Sequence, residues 1–259
     1  MAFVEKNGDK IHYALTGATN APVIVFSNSL GANLSMWDPQ LPEIEKTFRI
    51  LRYDTRGLGQ SSATPGPYSI EQLARDVLAL LDALKIQRAN FCGLSMGGMI
   101  GMWLGLNAPA RVEKLVLCNT GAKIGSEKGW NSRIELVRKD GLKAVAAGVI
   151  ERWFTPEFRT RSPQAWESAL RMLEAAPPEG YAACCAAVRD YDARDKISAI
   201  HIPTMVIAGG KDSATPPADG RYVADQIAGA RYVELEAAHL SNIEAAEEFT
   251  AELIQFLSA

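Results

Sequence analysis

Asn90-Phe91-Cys92-Gly93-Leu94-Ser95-Met96-Gly97-Gly98 follows an apolar run and precedes a long, weakly polar segment of the chain. This succession is typical of a strand, a sharp turn and a helix, and the turn carries the pattern Gly93-x-Ser95-x-Gly97. A serine on such a turn adopts an unfavourable backbone conformation, which holds its hydroxyl out at the top of a sheet. Glycine is needed on either side because a Cβ would collide with the reversed chain. The stretch therefore predicts a nucleophile elbow with Ser95 as the nucleophile.

The elbow pattern alone is weak evidence, since a chain with 21 glycines can contain it by chance. A serine nucleophile also needs a base within hydrogen-bond reach, and the chain has three histidines. His12 is expected to be a satisfied residue of an N-terminal strand, and His201 precedes a strand, at the wrong edge of a parallel sheet. His239 follows a strand, where loops at the carboxyl ends build sites. His239 is therefore the predicted base.

Asp212 is the predicted acid, because it opens a loop directly after a predicted strand. The alternative is that its carboxylate caps the helix that follows Pro216. The chain order Ser95, Asp212, His239 is the order of nucleophile, acid and base in α/β-hydrolases. Each of the three follows a predicted strand, so the sequence favours a catalytic triad.

Two backbone amides are expected to stabilise a developing oxyanion. Met96 follows the nucleophile at a helix N-terminus, and Leu30 lies in a small-residue loop after the third predicted strand. A serine as nucleophile argues against dehalogenase chemistry, which would place an aspartate at that position.

The rest of the chain indicates an α/β protein. A hairpin is predicted around Asn7-Gly8-Asp9, and apolar runs then alternate with amphipathic stretches, which indicates a mostly parallel sheet covered by helices. Helices are predicted from Met36 to about Lys46, after Ser69 to Leu84, and from Ile243 to Leu257. From residue 121 to about 197 strand signals vanish and helical stretches carry scattered aromatic residues. This region is predicted to be a helical cap over the elbow, the alternative being a solvated bundle that serves stability.

Composition excludes several classes of function. A net charge of -3 and a pI near 5.7 argue against a nucleic-acid partner. The four cysteines suit buried thiols in a reducing cytoplasm better than disulfides or a zinc site; they are Cys92, Cys118, Cys184 and Cys185. The N-terminus has no signal-peptide pattern, and glycines break the uncharged stretch 89–110, so no membrane span is expected. Metal-ligand spacings and a phosphate loop are absent from the sequence, so no metal or cofactor is expected.

The chain resembles the 3-oxoadipate enol-lactonases of the β-ketoadipate pathway, which are α/β-hydrolases that open an enol-lactone during aromatic catabolism. The resemblance rests on stretches spread over nearly the whole chain: 29–31, 36–38, 53–57, 66–70, 91–98, 118–120, 130–133, 152–155, 180–181 and 238–242. It implies an eight-stranded, mostly parallel sheet, with residues 1–120 and 198–259 as the core and 121–197 as a helical cap. It also implies a cofactor-free serine hydrolase that forms an acyl-enzyme.

The implied substrate is a small lactone with a carboxylate, which an apolar pocket must pair with a cation or with hydrogen-bond donors. Trp130 and Arg133 stand one helical turn apart, so we expect Arg133 to bind the carboxylate and Trp130 to form a pocket wall. The alternative is that Arg133 is a surface arginine. The family usually has histidine where this chain has Leu58, a change expected to affect stability or loop order while activity is retained.

Other functions of the same fold stay open at this level. A general carboxylesterase or a cofactor-free perhydrolase would keep the elbow and the triad. A ligand-binding receptor would keep them with very slow turnover. The residues do not decide whether the chain works alone or as a homo-oligomer.

Overall fold

Eight strands form one sheet in the computed structural model, which describes residues 2–6 and 8–259. They are β1 (Ala2–Lys6), β2 (Asp9–Thr16), β3 (Val23–Ser27), β4 (Arg49–Tyr53), β5 (Ala89–Leu94), β6 (Val112–Cys118), β7 (Thr204–Gly209) and β8 (Arg231–Leu235). The strand order is β1-β2-β4-β3-β5-β6-β7-β8. β2 pairs antiparallel with both of its neighbours, and every other pair is parallel. The prediction of a mostly parallel, eight-stranded sheet is therefore confirmed.

The register of the central strands brings their carboxyl ends to one edge of the sheet. Ser27 of β3 lies opposite Gly93 of β5, and Cys118 of β6 lies opposite Leu94 of β5 and Ile207 of β7. All six residues of β5 and of β7 are buried, as continuous apolar runs in parallel strands require. The loops that follow β3, β5, β6 and β7 consequently start side by side, and this edge is where sites form in such sheets.

Eleven α-helices lie within the described residues. They are α1 (Leu41–Ile44), α2 (Ile70–Ala83), α3 (Met96–Asn107), α4 (Glu127–Asp140), α5 (Lys143–Trp153), α6 (Pro156–Arg161), α7 (Pro163–Glu174), α8 (Pro178–Asp190), α9 (Pro217–Gln226), α10 (Ser241–Glu244) and α11 (Ala246–Ser258). The expected cap of α2 is confirmed, because the Ser69 hydroxyl accepts a hydrogen bond from the Gln72 amide at 3.1 Å.

Two helix predictions are wrong in their bounds. The predicted helix from Met36 to about Lys46 is instead a 3₁₀ helix over Leu34–Gln40 followed by the single turn of α1. Pro39 and Pro42 each remove a backbone donor that a continuous α-helix would need. The closing helix is divided at Ala245, whose backbone angles (φ -117°, ψ 49°) lie outside the helical region.

The segment between β6 and β7 contains five helices, α4 to α8, as the loss of strand signals predicted. We call residues 121–197 the helical segment. Two hydrogen bonds join α8, the last of these helices, to the segment that follows β4. The Tyr68 amide donates to the Ala183 carbonyl at 3.2 Å, and the Cys184 thiol donates to the Arg56 carbonyl at 3.4 Å. Gly57 and Gly180 meet directly, so that a Cβ built on Gly180 would overlap the Gly57 carbonyl group.

Some expectations concern residues at the margin of the described structure. The described residues of the predicted hairpin turn are Gly8 and Asp9, and Asn7 lies outside them. Within residues 2–6 and 8–259 no helix combines the length and the apolar character needed to cross a bilayer. All four cysteines are buried and none forms a disulfide.

The Gly57–Gly180 contact predicts that Gly180→Ala destabilises the protein strongly. The added methyl group has no space because its neighbour is backbone, so we expect a loss of about 3 kcal/mol in the free energy of unfolding, measured by urea titration. Gly148→Ala in α5 is the matched control, since a Cβ there meets no atom within 4 Å. It should leave stability unchanged or raise it by up to about 1 kcal/mol through helix propensity. Equal effects of the two substitutions would contradict the importance of the contact.

Candidate active site

Ser95 stands on the sharp turn between β5 and α3 in a conformation that non-glycine residues rarely adopt. Its φ of 59° and ψ of -115° place it on the left-handed side of the backbone map. Two hydrogen bonds fix the turn: the Ser95 amide donates to the Cys118 carbonyl, and the Thr120 hydroxyl donates to the Ser95 carbonyl, each at 2.8 Å. The strained serine is therefore held by the end of the neighbouring strand β6.

The glycines around Ser95 are required by close backbone approaches. A Cβ on Gly93 would overlap the carbonyl of Gly97, and one on Gly97 would overlap the carbonyl of Ser27. A Cβ on Gly98 would come within 2.6 Å of a side-chain carbon of Thr120. These approaches agree with the elbow conformation inferred from the sequence pattern.

Asp212 and His239 form a buried pair at the ends of β7 and β8. His239 Nδ1 donates to Asp212 Oδ2 at 2.8 Å, and each residue is 3% exposed. The Thr215 hydroxyl donates to the same oxygen at 2.7 Å, and the amides of Ala214 and Thr215 donate to the other oxygen at 2.8 and 3.0 Å. The arrangement leaves Nε2 of a neutral His239 as a proton acceptor.

The electrostatic balance at Asp212 favours its ionised form. Burial on its own would raise the pKa of Asp212. The charge of His239 and the hydrogen bonds from His239 and Thr215 outweigh burial, and together they lower this pKa to about 2. Asp212 is thus an anion at any pH near neutrality and can orient an imidazole ring.

A cavity of about 280 Å³ brings most of the sequence-predicted residues together. Its lining includes Ser95, His239, Leu30, Trp130 and Arg133. Asp212 and Met96 do not line it: Asp212 lies behind His239, and Met96 is the buried first residue of α3. In the described structure no hydrogen bond joins the Ser95 hydroxyl to His239, and such bonds are often long before a substrate binds.

The two amides predicted to bind an oxyanion have no acceptor of their own. Among the residues that the structure describes, neither the Leu30 amide nor the Met96 amide donates a hydrogen bond to backbone or side chain. Met96 opens helix α3, where the first amides lack intrahelical partners and the dipole favours negative charge. Unpaired donors next to Ser95 fit a site that receives a negatively charged oxygen.

Sequence reasoning missed a second guanidinium in the cavity wall. Arg152, near the end of α5, lines the cavity together with Arg133, which lies 4.9 Å from the centre of the Trp130 ring. Within residues 2–6 and 8–259 neither arginine forms a salt bridge, unlike most other arginines. Burial, and then the charge of Arg133, lower the pKa of Arg152. Two cations that form no salt bridge within these residues make the cavity attractive to an anion. The signal for Arg152 was its place in the stretch 152–155 that carries the family resemblance.

A buried carboxylate connects the loop that contains His239 to the helical segment. Glu244, 7% exposed, accepts hydrogen bonds from the Ala238 amide at 2.9 Å and from the amide and hydroxyl of Thr155. The Leu240 amide also donates to the Trp153 carbonyl at 3.0 Å. The residues on both sides of His239 are thus tied to the junction of α5 and α6.

The remaining sequence candidates lie outside this cavity. His12 is a strand residue as expected, but it is only half satisfied: Nδ1 donates to Asp54 Oδ2 at 2.7 Å, and Nε2 is buried without a partner among the described atoms. His201 is exposed just before β7. Leu58 is fully buried within the apolar core and does not line the cavity, so the effect expected on stability or loop order stays a prediction.

Comparison with known proteins places the whole site inside a matched region. The model of the alpha/beta hydrolase fold family matches residues 22–246. The 3-oxoadipate enol-lactonase 2 of Acinetobacter baylyi is 44% identical over 239 residues, which are 92% of this chain and 90% of that protein. The 3-oxoadipate enol-lactonase 1 of the same organism is 40% identical over 244 residues, 94% of this chain and 91% of that protein. The crystal structure of the enol-lactonase from Burkholderia xenovorans LB400 is 48% identical, with a TM-score of 0.98 and full coverage of both chains.

The position of Glu244 predicts that Glu244→Gln destabilises the protein by about 1–3 kcal/mol, because the new amide group would face hydrogen-bond donors. The free energy of unfolding from urea titration checks this. Glu135→Gln is the control, since Glu135 is an exposed acid of α4 whose loss should change stability by less than about 0.5 kcal/mol. An unchanged free energy of unfolding in Glu244→Gln would mean that the loop containing His239 does not depend on this carboxylate.

Proposed function

The chain belongs to the α/β-hydrolase family and resembles its 3-oxoadipate enol-lactonases, and from this premise we propose that it hydrolyses 3-oxoadipate enol-lactone to 3-oxoadipate in aromatic catabolism. The observation that carries the proposal is one cavity that contains a strained serine, a histidine paired with an aspartate, and two guanidiniums without carboxylate partners. The first three groups suit ester chemistry, and the guanidiniums suit a substrate with a carboxylate.

In this mechanism Ser95, His239 and Asp212 act as nucleophile, base and orienting acid. Nε2 of His239 takes the proton of the Ser95 hydroxyl as the serine oxygen attacks the lactone carbonyl. The ionised Asp212 keeps Nδ1 protonated and stabilises the imidazolium that forms. Because Cys118 and Thr120 fix the backbone of Ser95, its hydroxyl approaches His239 by rotation of the side chain in this mechanism.

The amides of Leu30 and Met96 stabilise the tetrahedral oxyanion, which is supported by their lack of other acceptors. Collapse of this intermediate breaks the ring C–O bond, and His239 gives its proton to the departing enolate oxygen, a better leaving group than an alkoxide. The ring-opened enol stays part of the acyl group on Ser95. The enol then converts to the ketone. His239 then takes a proton from a water molecule that attacks the acyl-enzyme carbonyl. Collapse of the second tetrahedral intermediate breaks the bond to Ser95, releases the second carboxylate and returns the proton from His239 to Ser95.

Recognition of the substrate is assigned to residues 121–197, which we propose act as a cap over the core formed by 1–120 and 198–259. The assignment is supported by the share of the cavity wall that this segment supplies, from Ile124 to Tyr181. Arg133 and Arg152 bind the carboxylate, and Trp130 provides an apolar wall beside them.

No metal or cofactor is required for these steps. Four buried, unpaired cysteines support a reducing, cytoplasmic location.

The first test compares the wild-type protein with Ser95→Ala on freshly generated 3-oxoadipate enol-lactone and on p-nitrophenyl acetate. We expect fast lactone loss, slow ester cleavage, and a fall in kcat of at least about 10⁴-fold in the variant, because the nucleophile is removed. Good ester turnover with an inert lactone would instead indicate a general carboxylesterase. Tight lactone binding with only a few slow turnovers would indicate a receptor.

The two guanidiniums predict a split between charged and neutral substrates. Arg133→Ala and Arg152→Ala should each raise KM for the lactone by about 10- to 100-fold, the loss of a charge-assisted hydrogen bond. KM for p-nitrophenyl acetate should change by less than about threefold. Arg138→Ala is the control, because Arg138 is an exposed residue of α4 that pairs with Glu179 outside the cavity. Equal effects on both substrates would contradict carboxylate recognition by these arginines.

A further inference from the structure

Asn119 is a buried, strained residue directly after β6 that the mechanism above does not use. It is 1% exposed and has a φ of 44°, the left-handed conformation that asparagine tolerates better than most residues. Its amide donates to the Ile207 carbonyl of β7 at 2.7 Å. The backbone at this position is therefore fixed between the strands that carry the nucleophile and the acid.

The side chain of Asn119 joins three segments of the site. Its Nδ2 donates to Asp212 Oδ2 at 3.0 Å and to the Ala238 carbonyl at 3.1 Å, and its Oδ1 accepts from the Ser241 hydroxyl at 2.6 Å. The orientation of the amide is determined chemically, since a flipped group would set its oxygen against two acceptors. Asn119 thus connects the acid with the residue that precedes His239.

A glycine leaves space for the side-chain amide of Asn119. Gly209, the last residue of β7, would place a Cβ within 2.9 Å of Asn119 Nδ2 and overlapping the Ala238 carbonyl. The absence of a side chain at Gly209 therefore permits both hydrogen bonds of Nδ2. A buried amide with every donor and acceptor used is a rigid support for the groups it contacts.

We propose that Asn119 is a positioning residue that holds the Asp212–His239 pair and limits the basicity of Asp212. The inference rests on the catalytic roles proposed above. Asp212 Oδ2 divides its charge among three donors, from His239, Thr215 and Asn119. If the donor from Asn119 is removed, more of that charge acts on His239 and favours the protonated ring. His239 can then act as a base only at a higher pH.

The charged groups around His239 fix the direction of the expected effect. Asp212 and Glu244, which holds the Ala238 amide, favour the imidazolium, whereas Arg152 and Arg133 across the cavity oppose it. Of these four groups only Asp212 forms a hydrogen bond with Asn119, and a substitution at position 119 leaves the other three side chains and their contacts unchanged. A change in the pH profile would therefore report on the hydrogen bond to Asp212.

The test measures kcat and KM from pH 5 to pH 9 for Asn119→Ala and Asn119→Asp. We expect kcat at pH 7 to fall by about 10- to 100-fold with KM changed by less than about threefold, and the acid limb of kcat/KM to move to higher pH by about 0.5–1 unit. The shift should be larger for Asn119→Asp, which adds a carboxyl group beside Asp212. Asn90→Ala is the control, because Asn90 is another buried amide, placed at the far end of β5. The acid limb of kcat/KM for Asn90→Ala should lie at the same pH as that of the wild-type protein.

The same profile can be measured without the lactone, as the rate at which an alkyl fluorophosphonate labels Ser95. A wild-type protein that is labelled but leaves the lactone intact would refute the proposed substrate and still allow this test of Asn119. Folded variants with the wild-type acid limb would overturn the positioning role, whatever their kcat. Failure of both variants to fold would overturn it too, since Asn119 would then be a requirement of the fold.

Discussion

The left-handed backbone of Ser95 is the constraint on which the site depends. A non-glycine residue in a sparsely populated backbone region costs on the order of 1–3 kcal/mol, and it persists only where its surroundings over-determine it. Here the surroundings are the end of β6, which bonds the serine backbone on both sides, and glycines that let α3 approach β3 and β6. The strand register that aligns the ends of β3, β5 and β6 therefore also determines where Ser95 lies.

The features that the sequence predicted correctly are those that local chemistry determines. The glycine spacing around Ser95 follows from steric limits of one turn, and the placement of Asp212 and His239 follows from the alternation of strands and helices. The strands β6 and β8 could be recognised as short segments that contain valine and, in β8, tyrosine beside charged residues. The chain order of Ser95, Asp212 and His239, each after a predicted strand, then indicated one edge of the sheet as the site.

The features that the sequence did not reveal depend on packing between distant segments. Arg152 follows Glu151 in an ordinary amphipathic helix, and no pattern within α5 tells which of the two charged residues faces a cavity. The hydrogen bond from Thr155 to Glu244 and the one from Asn119 to Asp212 each join segments more than eighty residues apart. The 3₁₀ turn before α1 has a local cause instead, the amide donor that Pro39 lacks.

The backbone contact between Gly57 and Gly180 has a consequence for how such a protein can diverge. Helix α4, which carries Arg133, packs on α8, and α8 is fastened at a point where no side chain intervenes. Gly57 and Gly180 do not line the cavity, so the contact that holds α8 is separate from the cavity wall. Side chains of α4 and α5 that line the cavity can therefore be exchanged while this backbone anchor, and the geometry around Ser95, stay in place.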